Sequence, residues 1–149
     1  MLIPDVKEIV PVLREDVVWI AFREKYSNML IDPEFLSDGS LRLLALLVSL
    51  LGEGPVVAYE EPENFIHPHL LESVVDIVKK SGKTVIITTH SPYLLDYVEP
   101  KDIILVTKVN GETKLRRLMD TDEIKAVRKY LEEGGTLGEA WFSGLMGEV

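Results

Sequence analysis

The chain has 149 residues, a single-domain length that is large enough to bury a proper core. Apolar residues make up 46% and charged residues 28%, and 25 acidic against 16 basic side chains leave a net charge of −9. That balance is globular and argues against a broad non-specific nucleic-acid surface. Cysteine and glutamine are both absent, which excludes disulfides and thiol chemistry, fits a reducing compartment, and resembles the thermophile bias against thermolabile side chains. The longest apolar run, 43–51, is interrupted by Ser49 and stops at Gly52, short of a bilayer span. The N-terminus has no basic region followed by an apolar core. A soluble, cytoplasmic protein with no membrane partner is expected.

Residues 1–36 read as β structure, with 17–22 (VVWIAF) as the clearest strand and Asp32-Pro33 as a break before the next element. Residues 36–42, LSDGSLR, then open an almost wholly apolar helix that ends at Gly52. Ser37 or Asp38 is a good N-cap. Two readings stand side by side: a capped core helix, or a helix N-terminus whose Ser hydroxyl and unhindered Gly backbone make an anion site.

The next stretch, 54–68 (GPVVAYEEPENFIHP), runs from four apolar residues into Glu60 and Glu61. This predicts a strand buried on both faces that delivers its carboxylates to the C-terminal edge of a sheet, where open α/β sheets bind ligands. The plainer alternative is a buried strand that ends in an acidic surface turn. Pro68 suits the first position of a helix carrying Leu70, Leu71, Val74, Val75 and Val78 at helical spacing. His69 reads as an early residue of that helix. TVIITT, 84–89, is a second buried strand, followed by His90-Ser91-Pro92 and a short helix through Val98. Strand, helix, strand with this crossover implies parallel pairing and a right-handed connection.

Beyond Pro100, residues 102–108 and 114–119 flank Asn110-Gly111, the strongest short hairpin signal. The basic group Lys114-Leu115-Arg116-Arg117 reads as a solvated strand or turn. Asp120 or Thr121 is expected to cap a helix through about Glu132, stopped by Gly134-Gly135, with an amphipathic segment over 136–146. Trp19, Trp141 and Phe142 are expected in the core. Gly82-Lys83-Thr84 matches the end of a phosphate-binding P-loop, but the pattern needs a Gly where Ile77 stands. It also needs a strand before the loop and a helix after it, the reverse of the order here.

LSDGSLR, VVAYEEPENFIHP and TVIITTHSP, in that order, together resemble the signature motif, the Walker B strand with its D-loop, and the switch-histidine loop of ABC-type ATPases. The closest resemblance is to the branch that includes SMC-like, RecF-like and OLD-like ATPases. The tail 137–144, LGEAWFSG, is similar more loosely. The resemblance implies that Glu60 falls on the acid that holds Mg²⁺, where the family usually has Asp. Glu61 falls on the general base that orients the attacking water, and His90 on the switch residue at the γ-phosphate. Ser37, Asp38 and Gly39 fall on the signature loop, which in the family caps the nucleotide of the opposite protomer. Asn64 and His67 fall in the D-loop, which touches the partner protomer.

The fold so implied is α/β: a three-layer P-loop NTPase-like fold, the C-terminal half of an ABC ATPase. Its parallel core strands would be flanked by helices, with an N-terminal β segment and a C-terminal β-hairpin. Residues 1–149 are expected to form one domain, with 1–35 as the β segment of the signature lobe and 36–149 as the motif-bearing core. No Walker A or Q-loop precedes Ser37, and only 36 residues stand before it. The implied function is an ATP-hydrolysing half-module that uses ATP and Mg²⁺ and needs a Walker A-bearing half or protomer as partner. It would act as a homo- or heterodimer, with DNA reached through the full assembly, and would be inactive as this chain alone. Two alternatives stay open: a non-catalytic interaction module of the same fold, and a nuclease-like metal site built from Glu60, Glu61, His67 and His90.

Overall fold

The computed structural model describes residues 5–64 and 66–147. Residues 1–4 of the expected β segment, Phe65 of the acidic stretch and residues 148–149 lie outside the described residues. The chain forms two compact units, one running to Thr88 and the other from Thr89 onward.

The first unit opens with an antiparallel sheet of β1 (Val6–Arg14), β2 (Val17–Glu24) and the two-residue β3 (Leu30–Ile31), in that order. Only Glu15 and Asp16 join β1 to β2, both at positive φ (47° and 64°), and Arg14 pairs with Val17 across them. Such tight hairpins usually use Asn and Gly, so a Glu-Asp pair carries no signal of this one. The Arg14 guanidinium grips the Asp32 carboxylate at 2.8 and 3.0 Å, which ties the hairpin end to the 3-10 turn Pro33–Phe35. Those hydrogen bonds, with the charge of Asp32, hold the Arg14 pKa above its ordinary value.

Val6, Ala21 and Phe22 are buried, whereas Leu13, Val17 and Val18 are exposed and Trp19 is 52% exposed. Trp19 is therefore not a core residue. Successive side chains of a strand face opposite sides, and the far end of this hairpin lacks a covering layer among the described residues.

Ser37 caps α1 (Asp38–Leu51), its hydroxyl accepting the Ser40 amide at 3.2 Å. Leu43, Leu46 and Leu50 form one buried stripe, as a helical period requires. Val48 and Leu51 are exposed, so 43–51 is core on one side only.

After α1 come β4 (Val56–Glu60), a 3-10 turn at Pro68–Leu70, α2 (Leu71–Lys80) and β5 (Thr84–Thr88). β4 and β5 pair in parallel from Val56↔Thr84 to Glu60↔Thr88, as the crossover spacing predicts. Neither strand is buried on both faces. Val57, Tyr59, Val85 and Ile87 are half-buried while Val56, Ala58 and Ile86 are exposed. The cause is that α1 packs against β4 and no element among the described residues covers the alternate side chains.

The Tyr59 hydroxyl lies 3.2 Å from Ser49 Oγ of α1. Lys83 Nζ donates to the backbone carbonyls of Ser49 (3.4 Å), Gly52 and Gly54 (2.6 Å). The lysine of the Gly-Lys-Thr sequence thus closes the loop between α1 and β4, in keeping with the rejection of a P-loop there.

The second unit contains α3 (Pro92–Leu95), β6 (Ile104–Val109), β7 (Glu112–Arg117), α4 (Ile124–Glu132) and α5 (Leu137–Phe142). The β6–β7 hairpin turns at Asn110 and Gly111 with φ of 52° and 87°, the backbone this dipeptide favours. Ile103, Leu105, Leu118, Ile124, Val127, Leu137, Ala140 and Met146 form its core.

Three helix boundaries in the second unit differ from expectation. α3 ends at Leu95 rather than Val98 because the Tyr97 and Val98 amides bond three residues back, to the carbonyls of Leu94 and Leu95, tightening the last turn; the Asp96 carboxylate accepts the Gly138 amide at 2.8 Å. α4 starts at Ile124 because Leu118–Asp120 form a 3-10 turn and the Thr121 hydroxyl donates to the Leu118 carbonyl at 2.7 Å instead of capping a helix. α5 stops at Phe142, where the Ser143, Gly144 and Leu145 amides fold back onto Glu139, Trp141 and Ala140. Phe142 is 88% exposed and so is not core, while Trp141 packs partly against it.

The start of α5 is fixed by a capping box. The Thr136 hydroxyl accepts the Glu139 amide at 3.2 Å and the Glu139 carboxylate accepts the Thr136 amide at 3.0 Å. Among the described residues no helix is long and apolar enough to cross a membrane.

Candidate active site

The site is built at the C-terminal end of the parallel pair. Glu60 is the last residue of β4, level with Thr88 of β5, and its side chain is exposed. Glu61 continues the ladder by one hydrogen bond, its amide donating to the Thr88 carbonyl at 2.8 Å. There the backbone leaves the strand, and Glu61 sits at φ +42°, in the left-handed region that non-glycine residues rarely occupy. Pro62, buried, follows, and the Asn64 amide closes a turn onto the Glu61 carbonyl at 3.1 Å. The Asn64 side chain also donates from Nδ2 to Glu61 Oε2 at 2.6 Å. Glu61 is thus held at both its main chain and its carboxylate.

Asn64 and His67 are exposed. His67 Nδ1 accepts the His69 amide at 3.4 Å, the two Nδ1 atoms are 2.6 Å apart and the ring centroids 4.3 Å. His69, read from the sequence as an unclaimed helix residue, is therefore engaged with His67 at the start of the Pro68–Leu70 turn. Ser37 and Asp38 are exposed at the N-terminus of α1 and Gly39 is half-buried, and Ser37 Oγ lies 2.9 Å from Ser40 Oγ.

His90 belongs to the second unit, two residues beyond Thr88, and its side chain is exposed. Thr89 Oγ1 accepts the Ser91 amide at 2.9 Å, turning the chain into α3 directly after His90. Among the described residues no three His, Asp or Glu side chains are grouped so as to hold a metal ion.

Sequence reasoning placed Asn64 in a loop but missed its bond to Glu61. The signal was there: Pro62 stands directly after Glu61, at the second position of the four-residue stretch 61–64, where Pro favours a β-turn. That turn folds the fourth residue back onto the first.

Parts of the chain are similar to known proteins. A family model described as "AAA domain, putative AbiEii toxin, Type IV TA system" matches residues 26–96. The thiamine import ATP-binding protein ThiQ of Photobacterium profundum is 34% identical over 86 residues, covering 53% of this chain and 35% of that protein. ATP-binding cassette sub-family A member 17 of Rattus norvegicus is 41% identical over 58 residues, covering 37% of this chain and 3% of that protein. The chain thus spans about a third or less of the length of these curated relatives.

Among solved structures, a chain described in a study of the structural biochemistry of ATP-driven dimerization and DNA-stimulated activation of SMC ATPases superimposes with a TM-score of 0.62. Its identity is 19%, covering 89% of this chain and 83% of that one, a likeness of fold. The fold is α/β of the P-loop NTPase type. Within that class, the chain is similar over part of its length to P-loop ATPases of the ABC/SMC type.

Proposed function

We propose that this chain supplies the signature, Walker B and switch-histidine parts of an ATP-hydrolysing module and takes its Walker A loop from a partner polypeptide or protomer. The observation that supports this most is the Glu61 backbone. A Glu at φ +42° carries a conformational cost that Gly or Asn would largely avoid, and strain of this kind gathers at functional sites. Glu61 acts as general base, orienting and polarising the attacking water, and His90 as the switch residue at the γ-phosphate.

Ser37, Asp38 and Gly39 use the N-terminus of α1 to cap a phosphate bound by the opposite protomer. Asn64 and His67 face that protomer. The donor chemistry at the end of β4 suits Mg²⁺, a hard cation commonly held by one or two carboxylates together with water and substrate phosphates. Glu60 is the carboxylate that would hold it. When bound, Mg²⁺ supplies charge neutralisation on the phosphate oxygens.

The module works as a homo- or heterodimer, and alone it does not hydrolyse ATP, because phosphoryl transfer rests on positioning of the phosphates and the cradle for them is not among these residues. Dimerisation and DNA stimulation are described for the SMC neighbour, and DNA reaches this chain through the full assembly. The half-covered β4–β5 pair, with Val56 and Ile86 more than half exposed (55% and 54%), favours a second reading, a non-catalytic module that docks through this face. The experiment that separates the two is steady-state Mg-ATP hydrolysis with the Walker A partner present, for the native chain and for Glu61→Gln. Hydrolysis that Glu61→Gln abolishes supports the first reading, and partner binding indifferent to Mg-ATP supports the second.

A further inference from the structure

We infer that Asn64 is a positioning residue for the Glu61 carboxylate, an inference that rests on the reading of Glu61 as the general base. Three hydrogen bonds fix Glu61. Its amide donates to Thr88 at 2.8 Å, its carbonyl accepts the Asn64 amide at 3.1 Å, and its Oε2 accepts Asn64 Nδ2 at 2.6 Å. The first two orient the main chain, and the third engages the side chain at the reacting end. The bond restrains side-chain torsions that the two backbone bonds leave open.

A carboxamide is well suited to this task. It donates to a carboxylate without adding charge, and it does not titrate, so it holds the base without competing for its proton. The turn that brings it there is set by Pro62, and the left-handed backbone of Glu61 aims the carboxylate back along that turn. An exposed hydrogen bond of this kind contributes little to global stability. Its loss is therefore expected to be felt in chemistry rather than in folding.

The decisive variant is Asn64→Asp, which keeps the shape and turn preference of Asn but sets a carboxylate against the Glu61 carboxylate. In the assembly with the Walker A partner, Asn64→Asp and Asn64→Ala are each expected to lower kcat by up to about 10²-fold, the cost of a reacting group misplaced by about 1 Å. KM for ATP and the thermal midpoint are expected to stay at their native values. A purely structural role for Asn64 predicts instead that Asn64→Asp retains native kcat, and that result overturns the inference.

Glu61→Gln serves as the control. If it is inactive while Asn64→Asp is native-like, the positioning role fails and the base reading stands. If Glu61→Gln remains active, the base reading itself fails, and the inference with it. The contact can also be read in the isolated chain from the Asn64 side-chain amide NMR signal. It is expected to shift in Glu61→Ala, and an unmoved signal overturns the Glu61–Asn64 pairing whatever the ATPase assay shows.

Discussion

Lys83 Nζ lies 2.6 Å from the Gly54 carbonyl oxygen and also donates to the carbonyls of Ser49 and Gly52. One ammonium therefore satisfies the end of α1 and fastens it to the loop that enters β4, the strand that carries Glu60. Hydrogen bonds from a charged group are each worth about 1.5–3 kcal/mol when sequestered, and partial exposure of Lys83 reduces this. Lys83→Met is expected to destabilise the chain by about 1–2 kcal/mol in urea denaturation. Lys83→Arg is not expected to restore it, because a planar fork does not match three converging carbonyls.

Gly138 allows α5 to approach α3 closely. A Cβ at this position would stand 2.3 Å from the Pro92 carbonyl oxygen and 2.7 Å from Asp96 Oδ1. The nearest atom belongs to the backbone and cannot swing aside. Gly138→Ala is expected to cost about 1–3 kcal/mol, the usual range for overpacking, and to lower the thermal midpoint of the second unit. A native-like midpoint would show that the two helices separate without penalty.

Glu61 predicts the opposite pairing of stability and activity. Relief of the left-handed backbone by Glu61→Gly is expected to leave stability unchanged or raise it by up to about 1 kcal/mol, less what the Asn64 bond contributes. Hydrolysis by the assembly should be lost in the same variant. Calorimetry of the chain and an ATPase assay of the assembly measure the two effects separately.

How far the sequence revealed this molecule depends on the kind of residue involved. Periodicity located α1, α2 and the β4–β5 pair, because buried stripes and apolar runs are imposed by the core they face. Asn110-Gly111 announced its hairpin through backbone preference. Glu15-Asp16 did not, since two acids have no such preference and the turn there is dictated by the pairing of Arg14 with Val17. Burial was overestimated at Trp19, Phe142, Val56 and Ile86, because apolar character does not state which neighbours are present to cover a face. At the candidate site, motif order pointed to Glu60, Glu61 and His90 as candidates. The φ of Glu61 and the Asn64 bond emerge only when the turn at Pro62 is built, and the Lys83 clamp only when residues about thirty positions apart are brought together by the fold.

Two carboxylates contribute to the acid side of the stability profile. The Ser27 hydroxyl and amide hold the Glu24 pKa below its ordinary value of 4.5, and its own backbone amide, aided by Thr121 and Arg116, does the same for Glu123. A lowered folded-state pKa contributes stability that is present above the unfolded value and lost as pH falls through the folded one. The loss is therefore expected below pH 4.5, and Glu24→Gln with Glu123→Gln should flatten it. Burial, together with Glu139, pushes Tyr130 above its ordinary 10.0. Its contribution is present below pH 10 and is lost as pH rises through the raised value. Thermal midpoints across pH for these variants and for Tyr130→Phe check both signs.

The central claim is that Glu61 is the base of an ATPase site completed by a Walker A partner. It is tested most directly by steady-state Mg-ATP hydrolysis of the reconstituted assembly with native chain and with Glu61→Gln. The expected result is turnover with the native chain and a fall of about 10²–10⁴-fold with the variant, the range for loss of a general base. Equal turnover with Glu61→Gln, or none with the native chain and a competent partner, would contradict it.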